Sequence, residues 1–79
     1  MAKEKIENLL TQLHDTFGDD EPSKEVVQLM MDMENQLEPH PKPDLTQTAK
    51  NLLAEVEAKH PQAAAVAREI IEILNNMGI

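Results

Sequence analysis

The stretch from His60 to Ile79 leaves this chain the fewest choices, because it carries both a start and a stop for a helix. Pro61 stands where a first helical residue can do without its N–H, and Gly78 stands where a left-handed cap ends a helix. Between them Ala63, Val66, Ala67, Ile70, Ile71, Ile73, Leu74 and Met77 recur at helical spacing. They cover an arc of roughly 160°, against the ~100° stripe of an ordinary surface helix. A helix this apolar must bury more than one flank, which bears on packing and assembly.

Burial is scarce in a chain of 79 residues. Domains of this size cover about 60% of the surface their unfolded chains expose, so one domain, residues 1–79, has a marginal core that needs a supplement. The chain has no cysteine, which removes disulfides, thiolate zinc sites and a cysteine nucleophile together. Self-association and well-formed helix packing are the remaining supports for a small scaffold. Phe17 is the single aromatic residue, so no stacking platform for bases or sugars can be built.

The net charge of −8 is unevenly placed: residues 1–44 hold 4 Lys against 11 Asp or Glu, a balance of −7, and residues 45–79 hold −1. Phosphate neutralisation is therefore disfavoured, and no nucleic-acid partner is expected. Solvated helix faces account for such an acidic half, and a basic protein docking on it is the alternative. The opening Met1-Ala2-Lys3-Glu4-Lys5-Ile6-Glu7 has no apolar core like that of a secretory signal, and no window approaches the length of a membrane span. A soluble, cytoplasmic protein without membrane contact is expected.

Ile6, Leu9, Leu10, Leu13 and Phe17 form a narrow stripe on a first helix that Gly18 ends. Asp19 to Ser23 is a short acidic turn, with Pro22 suited to the first turn of the second helix. So short a connection predicts antiparallel neighbours. The second helix is expected from about Pro22 to Glu38, its buried face made by Val26, Met30, Met33 and Leu37 and widened by Leu29. Val27 and Met31 fall outside that face and make a second, smaller ridge. Pro39, Pro41 and Pro43 then impose an extended, stiff connector, the expected hinge. Asp44 with Gln47 reads as an Asp variant of the capping box for a third helix, which buries Leu45, Ala49, Leu52, Leu53 and Val56. Pro61 predicts a break. The alternative, a kinked helix from Leu45 to Met77, would reach about 50 Å at ~1.5 Å per residue and would force a dimer. At the far end, Ile79 is expected to fold back on Leu74 beyond the Gly78 cap.

Candidate chemistry is sparse. His14, Asp15, Asp19, Asp20 and Glu21 gather oxygen ligands around the first turn, but their spacing matches no calcium loop, and a solvated turn is the expected reading. His14, His40 and His60 lie in three different segments without an i, i+4 pair, so neither a metal site nor acid–base catalysis is expected of them. His60 is expected to cap the fourth helix or pack at the bend, and His40 to sit exposed between prolines. Thr11, Thr16, Ser23, Thr46 and Thr48 lie at helix ends or on polar faces, and no nucleophile motif surrounds them. Met30 and Met33 belong to the core stripe, whereas Val27 and Met31 read either as a partner or dimer contact or as an exposed apolar pair of the kind common on ordinary surfaces.

The opening Leu9-Leu10-x-x-Leu13-His14, the proline-broken middle, and the closing Glu57-x-x-His60-Pro61 leading to Leu74-x-x-Met77-Gly78-Ile79 together resemble the small bacterial family called domain of unknown function 4404. The resemblance implies a short, stand-alone bacterial helical protein and supplies no catalytic or ligand residues. The expectation is an all-α bundle of four short helices, two helical hairpins joined by the proline connector, with the fourth helix central. No catalytic, cofactor or metal residue is expected. The candidate interaction surface is Val27, Met31 and Ile71, serving a homo-oligomer, a dimer first of all, or a protein partner. An acidic adaptor or chaperone-like regulator that binds a basic protein is the alternative.

Overall fold

Each apolar stripe of the sequence becomes a helix in the computed structural model, which describes residues 2–38 and 41–78. Helix α1 spans Ala2–Thr16 and buries Ile6, Leu9, Leu10 and Leu13, while Phe17 is buried in the turn that follows. Gly18 then takes a φ of +54°, the left-handed conformation that side-chain-bearing residues resist, and its N–H bonds to the Asp15 carbonyl at 3.1 Å.

Helix α2 spans Lys24–Leu37, two residues later than Pro22 suggests. Ser23 is its N-cap: the backbone there is extended, and the Oγ accepts a hydrogen bond from the Val26 N–H at 3.3 Å. A hydroxyl satisfies one of the orphan amides of a helix start, which a proline ring cannot do, so Pro22 precedes the cap instead of entering the first turn. Val26, Met30, Met33 and Leu37 are buried as the spacing predicts.

The segment between α2 and α3 (Asp44–Lys59) is tied down by Lys42. Its N–H bonds to the Gln36 carbonyl at 3.0 Å, and its ammonium donates to the carbonyls of Asn35 and Glu38 at the end of α2. The expected Asp44/Gln47 capping box is absent: Pro43 occupies the N-cap without a side-chain hydrogen bond, and Gln47 donates instead to Asn51, one turn further on. The Lys42 carbonyl accepts the Leu45 N–H at 3.0 Å, a backbone bond at the helix start. Pro39 and His40, and with them the expected exposure of His40, lie outside the described residues, as does the contact expected of Ile79.

At Pro61 the chain turns a corner. His60 leaves helical geometry at φ −137° and ψ 69°, Pro61–Ala63 form a single 3-10 turn, and helix α4 runs over Ala64–Asn76. Because α4 folds back on α3, the described chain measures 32 × 18 × 17 Å, which excludes the kinked rod. Gly78 ends the fourth helix at φ +77°, as the sequence predicts.

Among the described residues, then, the protein is four helices with one shared core. Helix α3 lies between α2 and α4, and α4 lies between α3 and α1. Centrality therefore belongs to both α3 and α4. Ion pairs fix the directions: Lys59 near the end of α3 reaches Glu25 near the start of α2 at 3.9 Å, and Lys3 near the start of α1 reaches Glu38 just beyond α2 at 2.9 Å. Helices α1 and α2 run antiparallel, as their short turn predicts, and so do α2 and α3, but the helices do not pack equally. Helix α1 lays its apolar stripe on α4 and meets α2 along a thin seam.

Candidate functional site

That seam carries one of two grooves between neighbouring helices among the described residues. Between α1 and α2 a groove of about 550 Å³ opens, its floor made by Leu10, Met30 and Leu37. Glu7, Thr11 and His14 form the α1 wall, and Glu34, Asn35 and Glu38 line the opposite side. The carboxylates follow from helical geometry. At about 100° per residue, Glu34 and Glu38 sit roughly 80° and 120° round α2 from Val26, just beyond the core stripe and on the side of α1. His14 and Glu7 occupy the matching flank of α1, one turn off Leu10.

Val27 and Met31 belong to the same flank of α2, at roughly 100° and 140° on the same measure. They are 41% and 52% exposed, and among the described residues they are the exposed large hydrophobics. One stripe of α2 therefore reads Val27, Met31, Glu34, Glu38: apolar toward the start of the helix, acidic toward its end. The Lys3–Glu38 pair closes the acidic end at 2.9 Å, and the hydrogen bond to Glu38 raises the Lys3 ammonium above the ordinary lysine value of 10.5. Ile71 is elsewhere. It is half-buried on α4, packed against the core, and α4 does not touch α2, so the structure does not place it beside Val27 and Met31.

A second groove, between α2 and α3, is lined by Lys24, Glu25, Gln28, Leu29, Asn51 and Glu55, among others. Both signs of charge meet there, and Lys59 ties its two carboxylates together, reaching Glu25 at 3.9 Å and Glu55 at 3.4 Å. The α1–α2 groove, in contrast, has three carboxylates on its walls and one histidine.

The two described histidines, His14 and His60, do not converge. His14 is exposed on α1, whereas His60 packs at the bend, its ring edge-on to Phe17 with centroids 4.9 Å apart. Its Nε2 is buried without a hydrogen-bond partner from the chain, so no carboxylate orients it as a base would require. Around the first turn, Asp20 bonds through its backbone N–H to the Phe17 carbonyl at 2.8 Å. Among the described residues, no three His, Cys, Asp or Glu side chains are grouped to hold a metal ion. No helix among them is long and apolar enough to cross a membrane.

The rim carboxylates Glu7, Glu34 and Glu38 were not singled out by sequence reasoning. Their helical phase was legible, since they sit beside Val27, Met31 and Leu10 on the wheel. What the sequence withheld is that α1 spends its apolar stripe on α4, which leaves the α1–α2 seam open.

No curated protein and no solved structure matches the chain. A family model, described as a domain of unknown function (DUF4404), matches residues 3–79. That span takes in the opening Leu-Leu-x-x-Leu-His helix, the Pro61 corner and the Gly78 cap, and the chain belongs to the DUF4404 family.

Proposed function

We propose that this chain is a cytoplasmic, non-catalytic protein-binding module whose binding face is the α1–α2 flank. The observation that carries the reading is the exposure of Val27 and Met31 beside an apolar-floored groove, where the other large apolar side chains among the described residues are covered at least in part. Exposed apolar side chains adjoining a concave surface are the ordinary composition of a protein-contact site. The scattered histidines favour binding over catalysis, since an acid–base role needs a partner group within hydrogen-bond reach.

Self-association is the second reading, and the two flanks of the buried stripe of α4 favour it. Val66 and Ile73, with Met77 just beyond the helix, lie on one flank and Ile71 on the other; all are packed against the core yet only partly buried, and a second chain would cover the remainder of either flank. Absolute mass by light scattering over a wide concentration range, at low and high salt, separates the two. The partner-binding reading expects the single-chain mass of 8.9 kDa throughout. It further expects Met31→Asp to change melting temperature little, because the site is exposed, and Ile71→Asp to lower it without changing mass. A salt-indifferent dimer that Ile71→Asp dissociates would replace this reading with self-association.

A further inference from the structure

We infer that the α1–α2 groove receives a basic amphipathic helix of another protein, an assignment that rests on the α1–α2 flank being the binding face. The shape argues for a helix. Leu10, Met30 and Leu37 form an apolar floor, and Val27 and Met31 continue the α2 rim toward the helix start as exposed apolar side chains, so an apolar stripe seated on the floor meets apolar surface on that rim as well. The charges argue for its sign. Glu7 rises on one side of the floor, and Glu34 and Glu38 on the other, so an occupant lying in the seam meets carboxylates along both of its flanks. Lysine or arginine beside the apolar stripe answers both walls at once. The chain itself brings two cations to the Glu38 end of the groove: Lys3, whose ammonium pairs with Glu38 at 2.9 Å, and Lys42, whose ammonium donates to the Asn35 and Glu38 carbonyls.

A second copy of this chain is a poor occupant by the same reasoning. Its net charge is −8, and −7 of that lies in residues 1–44, the half that includes α1 and α2. Two copies meeting through this flank would set carboxylates against carboxylates, a juxtaposition that costs affinity. Charge complementarity therefore points to a different, basic chain. Apolar contacts would hold the helix, and the rim would set its orientation and speed its arrival.

The test uses the full chain, isotope-labelled for NMR, and a synthetic peptide about four turns long with leucines on one face and lysines on its flanks. Three controls accompany it: the same composition scrambled, polylysine, and the same apolar pattern with glutamates for the lysines. The expected result is saturable binding by the basic amphipathic peptide, with amide shifts at Glu7, Thr11, His14, Met31, Glu34 and Glu38. Scrambled peptide and polylysine are expected to bind at least about tenfold more weakly. Glu7→Gln with Glu34→Gln, which keeps side-chain size on exposed helix positions, is expected to weaken binding about three- to tenfold at low salt and less at high salt. Equal binding by scrambled peptide or polylysine would overturn the inference, as would shifts centred on α4. If the glutamate peptide occupies the groove instead, the binding face stands and the basic partner falls. If neither amphipathic peptide moves the groove amides, the face itself is lost as well.

Discussion

Leu74 and Met31 mark the two extremes of what one apolar side chain does in this molecule. Leu74 is fully buried on α4, whereas Met31 is 52% exposed on α2. Truncating a buried leucine costs about 2–5 kcal/mol, a large share of the stability available to a domain this small. Leu74→Ala should therefore lower the denaturation midpoint sharply in urea, followed by helical circular dichroism, and Met31→Ala should leave it within about 0.5 kcal/mol of the parent. Matching losses at the two positions would mean that Met31 is covered in solution. The same scale shows where reading residue types stops working. The sequence placed Thr48 on a polar face or helix end, yet it is buried, because its Oγ1 donates to the Asp44 carbonyl 3.1 Å away and so carries no unpaired hydroxyl into the core. Helical phase marks which residues turn inward, but only the folded backbone shows which polar atoms find partners there.

Helix ends, unlike helix faces, depend on competition between neighbours in the chain. The stripes of α1, α2, α3 and α4 were all legible, since apolar spacing at three and four residues is a repeated signal that no single residue can spoil. The starts of α2 and α3 were less so. Pro22 and Ser23 are both helix-start residues, and Ser23 takes the cap because its Oγ reaches the Val26 N–H. Asp44 and Gln47 spell a capping box that the structure does not form, because Asp44 is already the first residue of α3, Pro43 takes the N-cap position, and Gln47 donates to Asn51. Removing a used cap should cost more than removing an unused one. Ser23→Ala is expected to destabilise the fold by about 1 kcal/mol, and Gln47→Ala by much less, in the same urea titration. A loss at Gln47→Ala as large as that at Ser23→Ala would restore the capping box as a real contributor.

The arrangement of the whole molecule makes its four helices unequal in a way no single helix reveals. Helices α3 and α4 are each packed between two others, and α2 is held by the most extensive of the helix contacts, the one with α3. Helix α1 depends on α4 and the turn at Pro61–Ala63, its seam with α2 being thin and bridged at the exposed Lys3–Glu38 pair. Surface pairs of this kind add about 0–1 kcal/mol, too little to bind the first helix as firmly as a packed face would. Opening should therefore start there, because local stability follows the apolar contact each element keeps. Amide hydrogen exchange followed by mass spectrometry is expected to show α1 exchanging through a lower-energy opening than α3 and α4. The groove supplies the second half of the argument. A helix seated between α1 and α2 would add the packing that the seam lacks, so binding of the basic amphipathic peptide should slow exchange in α1 more than in α3. Exchange from α1 as slow as from α4 in the free protein would show that the seam is closed without help, and the reason for an occupant there would go with it.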